Sequence, residues 1–155
     1  MSRLDQSLAV GDLQVHRPVL TFDKVIHSDS KIVDETVREI TAALRRVNWF
    51  DDVDLVTLAI REALTNALVH GNRCDAEKTI SISVSLNHEG SLFASISDFG
   101  SGFDPNAIPD PLDVGNELRE SGRGIFLMRQ VMDEVEFNFD HGTEVRMRLR
   151  QKWFE

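Results

Sequence analysis

A single cysteine in 155 residues, Cys74, has nothing to pair with, so no intrachain disulfide framework holds this chain together. Its ordinary reading is a small half-buried thiol, and no Cys/His spacing of the zinc kind surrounds it. Basic residues are also in short supply. Seventeen Lys and Arg stand against 26 Asp and Glu, a formal charge of -9. Phosphate backbones are bound chiefly through Lys and Arg, so this balance argues against a nucleic-acid surface and favours protein or small-molecule partners. The first residues, Met1-Ser-Arg-Leu-Asp-Gln-Ser-Leu-Ala-Val-Gly11, lack the apolar run of a signal peptide or membrane span. A cytoplasmic protein is expected. No repeat, low-complexity tract or Pro/Gly-rich linker divides the sequence, and its length suffices to bury one core. We therefore expect a single domain over residues 1–155, with residues 1–12 disordered.

What is present is periodic. After an extended stretch around Val19 to Ile26, the residues Val33, Val37, Ile40, Leu44 and Val47 recur at the spacing of one helix face. Ser28, Asp29 or Ser30 can cap that helix. Asp51 and Asp52 can start a second, whose apolar face is expected from Leu55, Leu58, Ala59, Ala63 and Ala67, with Gly71 as the stop. Thr79 to Leu86 alternates polar and apolar residues, as a half-buried strand does, and so do Leu92, Ala94 and Ile96 beyond the turn residues Asn87-His-Glu-Gly90. These runs predict an antiparallel hairpin that delivers Asp98 at a strand end. A second hairpin is predicted from Val135–Phe139, a turn over Asp140–Thr143, and Val145–Leu149. Between them, Gly124 to Asp133 reads as a helix reached through glycine. Helix, helix, hairpin, loop, helix, hairpin is the order of an α+β fold, a two-layer sandwich with helices on one face of a mostly antiparallel sheet. The segment 103–121 holds three of the four prolines and is long for a compact-domain loop, as a lid would be.

Three groups of residues carry chemistry. Glu62, Asn66 and His70 fall at i, i+4 and i+8, so a helix would set a carboxylate, an amide and an imidazole along one stripe. Gly100 and Gly102 let a ligand approach the main chain, and Asp98 can accept a hydrogen bond from an exocyclic amine such as that of adenine. Gly122 and Gly124 precede an apolar helix whose free amides and dipole could meet an anion, and Arg123 could add a charge-assisted contact. One amide oxygen from Asn66 could complete the shell of a largely hydrated magnesium ion bridging phosphates. Each group has a plainer reading in isolation. Asp-x-Gly-x-Gly is commonly a turn, the Glu62 stripe can be a solvated helix face, and Thr143 after Gly142 is ordinary turn chemistry. Their order along one chain favours a nucleotide site.

Taken in that order, Glu62 to Asn66, Asp98-Phe-Gly-Ser-Gly102, Gly122-Arg-Gly124 with its helix, and Gly142-Thr143 resemble the ATP-binding fold of gyrase, histidine kinases and mismatch-repair ATPases, the GHKL or Bergerat superfamily. The resemblance covers about Val53 to Leu149. Within it, the segments around Glu62–Gly71, Asp98–Pro105 and Gly122–Asp133 are most similar to bacterial anti-sigma-factor serine/threonine kinases. That resemblance implies ATP and magnesium (Mg2+), a homodimer, phosphorylation of an anti-sigma-factor antagonist and sequestration of a sigma factor. It also implies roles by position. Glu62 is the general base and Asn66 the magnesium ligand. Asp98 holds the adenine amine, Gly100 and Gly102 shape the adenine pocket, Gly122, Arg123 and Gly124 lie on the phosphate side, Thr143 supports the adenine contact, and residues 103–121 form the ATP lid. Only about fifty residues precede Asp51 and none of the later chain forms a transducer domain, so the phosphoacceptor is expected on another chain. The competing expectation is a module whose nucleotide switches partner affinity without useful transfer.

Overall fold

In the computed structural model, residues 19–49, 52–100 and 117–150 are described. The elements run β1 (Leu20–His27), α1 (Ser30–Arg46), α2 (Val53–Asn66), a π-turn (Ala67–Gly71), β2 (Thr79–Leu86), β3 (Leu92–Ser97), α3 (Glu117–Val131), β4 (Glu134–Asn138) and β5 (Glu144–Leu149). The five strands form one sheet in the order β1-β2-β3-β5-β4, every neighbour antiparallel. This is the expected α+β sandwich.

Register explains why the layers hold. Val84 pairs Ala94 and Ala94 pairs Met147, while Ile82 pairs Ile96 and Ile96 pairs Val145, so rows of apolar side chains share one face. All six are buried. Against them lie Val33, Val37, Ile40 and Leu44 of α1, Ile60, Ala63 and Leu64 of α2, and Ile125 and Met128 of α3. Period two on the strands and 3.6 on the helices are what let two layers share a core. The serines of β2 fall on the opposite face. Trp49 joins the core while its indole N–H donates to the Gly90 carbonyl at 3.0 Å, fixing the end of the helical layer to the β2–β3 turn.

Of the three candidate caps, Asp29 is the one used: its carboxylate accepts from the Lys31 and Ile32 amides. Ser28 turns inward instead and donates to the Lys78 carbonyl at 2.8 Å. Asp52 caps α2 through Leu55 N–H.

Four expectations need correction. Leu55 and Leu58 are 43% and 41% exposed, whereas Ala59, Ala63 and Ala67 are buried as expected; Val56, Ile60 and Leu64 take the place of the two leucines, because α2 lies between α1 and α3 and buries both flanks. Cys74 is exposed rather than half-buried. The α-helix also does not run on to Gly71; it passes at Ala67 into a π-turn, so His70 leaves the α-helical i+8 register of Glu62 and Asn66. Finally, α3 begins at Glu117, so Gly122, Arg123 and Gly124 lie inside it rather than ahead of it. The amides of an interior turn are committed to the helix, which removes the anion site expected from a helix N-terminus at these glycines. Gly102, residues 1–12 and residues 103–116 of the expected lid lie outside the described residues, and the remaining lid residues, 117–121, are the first turn of α3 rather than loop.

Candidate functional site

The apolar alternation of β3 ends at Ser97, and the next residue, Asp98, is only 2% exposed. A buried carboxylate needs partners. Its Oδ1 accepts from Gly100 N–H at 2.9 Å and Thr143 N–H at 3.1 Å, and its own N–H donates to the Thr143 carbonyl at 2.9 Å. Burial pushes the Asp98 pKa above its ordinary 3.8, and the two amides and Lys78 pull the other way without cancelling it.

Glycine supplies the room. A β-carbon on Gly71 would stand 2.0 Å from Asp98 Oδ2, and one on Gly142, whose φ is +84°, would stand 2.3 Å from the Asp98 carbonyl oxygen. A β-carbon on Gly100 would stand 1.7 Å from the Gly71 carbonyl oxygen. Two of these glycines therefore pack against Asp98, Gly71 on its carboxylate and Gly142 on its backbone, and Gly100 packs on Gly71, all at distances only glycine permits.

Asp98, Asn66 and Thr143 line a single cleft with Ala63, Ala67, Ile96, Met128, Phe137 and Val145. Its volume is about 10 Å³, near the space one water requires. Among the described residues, three buried side-chain polar atoms have no hydrogen-bond partner, and two of them, Asn66 Nδ2 and Thr143 Oγ1, belong to residues of this cleft. An unpaired buried polar group costs about 1–3 kcal/mol, so two beside one carboxylate are the mark of a place that a polar ligand completes. The third, Arg148 Nε, belongs to a hollow of about 270 Å³ on the outer face of the sheet, which contains no predicted site residue.

Glu62 stands one turn before Asn66 on α2, half-buried. Gly124 of α3 faces both: a β-carbon there would lie 2.8 Å from Glu62 Oε2 and 3.6 Å from Asn66 Nδ2. Gly124→Ala is expected to raise stability by about 0.5–1 kcal/mol, because alanine is the better interior helix residue and only the mobile end of Glu62 must yield. Any function of the Glu62 carboxylate should fall about 10- to 100-fold with it, since displacement of this size spoils alignment. A thermal melt and an activity assay on the same protein read the two opposing changes; a parallel loss in both would contradict the packing described. Gly122 is buried in α3, whereas Arg123 is exposed and His70 lies outside the cleft. Gly71 and Asn72 were not read from the sequence as site residues. Gly71 had already been given to the helix stop, and its approach to Asp98 is a tertiary contact.

The Asp98 shift makes a separate prediction. A folded carboxyl with a raised pKa holds its proton longer than the unfolded chain does, so its contribution to stability is fully present below about pH 3.8 and is lost as pH rises through the raised value. Urea melts of wild type and Asp98→Asn between about pH 3 and pH 7 should diverge on the way up, the wild type losing ground. Parallel curves would contradict the burial of the charge.

Comparison with known proteins matches residues 26–149 to the histidine kinase-like ATPase domain. The chain belongs to this family. Among relatives of this ATPase-domain chain, the serine-protein kinase RsbW of Halalkalibacterium halodurans is 28% identical over 142 residues, 87% of this chain and 85% of that protein. The RsbW of Bacillus licheniformis is 31% identical over 104 residues, 63% of this chain and 64% of that protein. Two solved structures share the fold: the RsbU and RsbW domains of Rv1364c from Mycobacterium tuberculosis, with TM-score 0.61, 17% identity and coverage of 86% of this chain and 33% of that one, and the SiaB-SiaC complex from Pseudomonas aeruginosa, with TM-score 0.61, 14% identity and coverage of 94% and 98%. Membership in the ATPase-domain family supports the use of ATP. Among the described residues no group of three His, Cys, Asp or Glu could cage a metal, and no helix is long and apolar enough to cross a membrane.

Proposed function

We propose that this ATPase domain is a serine/threonine protein kinase that transfers the γ-phosphoryl of ATP to an antagonist protein and sequesters a second partner in bacterial transcription control, in the manner of an anti-sigma factor. The observation that carries this reading is the pair of unpartnered buried groups, Asn66 and Thr143, beside the buried Asp98 carboxylate, with Glu62 one turn from Asn66. Similarity to proteins named serine-protein kinase RsbW supports the kinase and the regulatory setting. A cytoplasmic homodimer, the antagonist and a sigma factor as partners, and residues 103–121 as the lid of one kinase domain over residues 1–155 belong to the same proposal.

In this reading Asp98 Oδ2 accepts from the adenine amine and the Thr143 hydroxyl supports that contact, while Gly100 and Gly102 leave room for the ring. Adenine is far larger than the cleft as it stands, so binding requires its walls to part, and Gly124 presents no side chain to Glu62 that such a movement would drag. Arg123, already exposed, is free to turn toward phosphate. A magnesium ion needs few protein ligands, and the Asn66 amide, whose Nδ2 has no partner to hold it in one orientation, can turn its oxygen to a hydrated ion, which would neutralise phosphate charge. Glu62 takes the proton of the acceptor hydroxyl as that oxygen bonds to the γ-phosphorus. The bond to the β–γ bridging oxygen breaks and ADP leaves. Positioning and charge stabilisation dominate such a transfer, so one carboxylate in place suffices.

The test is calorimetry of ATP and ADP with and without magnesium, followed by incubation of the protein with γ-labelled ATP and its native soluble proteins. Micromolar ATP binding, about -8 kcal/mol, and a label stable as phosphoserine or phosphothreonine on a second polypeptide are the expected results. A partner complex that forms only with ATP, without phosphorylated product, would establish the nucleotide-switched binding module instead.

A further inference from the structure

Asn72 has no part in the chemistry above, yet it is 1% exposed and uses both ends of its amide. Its Nδ2 donates to Ser28 Oγ at 2.8 Å and to the Thr79 carbonyl at 2.9 Å, and its Oδ1 accepts from Phe99 N–H at 2.9 Å. Its own N–H closes the π-turn on the Ala67 carbonyl at 2.8 Å. One side chain thus joins the end of β1, the start of β2 and the peptide that links Asp98 to Phe99.

The π-turn makes this possible. Its widened turn lets Gly71 lie against Asp98 with Asn72 next in the chain, and the backbone then bends sharply through Arg73 and Cys74, whose φ values are +53° and +58°. Left-handed torsions at two successive non-glycine residues persist only where surrounding structure enforces them. The Asn72 side-chain bonds, with Cys74 N–H donating to the Leu68 carbonyl at 2.7 Å and Asp75 N–H to the Asn72 carbonyl at 3.0 Å, are that structure.

We propose that Asn72 is a positioning residue for the base pocket. By holding Phe99 N–H on an amide anchored at Ser28 and Thr79, it fixes the peptide after Asp98 and so aims the Asp98 carboxylate, which sets the preference for ATP over GTP. The inference rests on Asp98 reading the adenine amine. Guanine presents a carbonyl where adenine presents that amine, and a fixed acceptor rejects it because two acceptors then face each other unpaired. A carboxylate free to swing would discriminate less.

The experiment is calorimetry of ATP and GTP against wild type, Asn72→Ser, Ser28→Ala and Asn72→Asp, with thermal melts of each. Wild type should prefer ATP. Asn72→Ser, which cannot reach Phe99 N–H, should lose about 30-fold in ATP affinity and most of the ATP-over-GTP ratio. Ser28→Ala removes one anchor and leaves the Phe99 bond, so it should melt earlier yet keep the ratio within about threefold. A folded Asn72→Ser with the wild-type ratio would overturn the proposal. Should Asn72→Ser not fold, Asn72→Asp decides the matter: it keeps an oxygen toward Phe99 N–H but loses the donor bonds that anchor it to Ser28 and Thr79, so a lost ratio in the folded variant supports the proposal and a retained one overturns it. A wild type indifferent between ATP and GTP is a different result, for it removes the assignment of Asp98 and this inference with it.

Discussion

Asp98→Asn is expected to lower ATP affinity by about 100-fold or more while leaving the folded protein at least as stable as wild type. The substitution is nearly isosteric, and the retained oxygen can still accept from Gly100 N–H and Thr143 N–H. Only the other terminal atom changes, from a charged acceptor to an N–H donor. In the proposed pose that atom faces the adenine amine, so a charge-assisted bond of about 1.5–3 kcal/mol is replaced by two donors facing each other. Stability should move the other way, because burial raises the Asp98 pKa and a neutral amide avoids the penalty on the buried charge. Calorimetry and a thermal melt on the same preparation check both. Affinity equal to wild type would refute Asp98 as the adenine reader, and loss of folding would mean that its carboxylate is a structural strut.

Glu62→Gln should reduce phosphoryl transfer by about 10²- to 10⁴-fold with ATP affinity changed by no more than about threefold. Glu62 does not line the cleft that holds Asp98, Asn66 and Thr143, so nucleotide binding has little reason to depend on it. The amide keeps the shape of the side chain beside Gly124 and loses only the capacity to take a proton. Single-turnover transfer to the phosphorylated partner, measured beside ATP binding, separates the two effects. Full transfer by the variant would remove the general-base role. Equal losses in binding and transfer would place Glu62 in nucleotide recognition instead.

The legibility of this chain follows the range of the forces involved. Alternation in Thr79–Leu86 and Leu92–Ser97, the three- and four-residue spacing from Val33 to Leu44, and the turn residues at Asn87–Gly90 are local signals, and each produced the expected element. Ala59, Ala63 and Ala67 lie on the buried face of α2 but Leu55 and Leu58 do not, because period alone fixes only that a helix has an apolar side. Which residues share it depends on α2 lying between α1 and α3 over the sheet. The start of α3 is not legible because Gly122 and Gly124 read as breakers, whereas a helix interior tolerates their cost of about 1 kcal/mol each, and at Gly124 the close approach to Glu62 gives it a reason.

The sequence by itself determined the α+β class and the strand pairing by hairpins, and it singled out Glu62, Asn66, Asp98 and Thr143 as candidates. It could do so because periodicity, turn chemistry and side-chain type are properties of neighbours in the chain. Only the tertiary structure decided that Asn66, Asp98 and Thr143 share one cleft and that Gly71 and Gly142 pack against Asp98. The π-turn, too, was visible only there, bringing Asn72 behind the Asp98–Phe99 peptide. Those contacts join residues up to 77 positions apart, as from Asn66 to Thr143, and burial against a distant segment leaves no local pattern for a sequence to display.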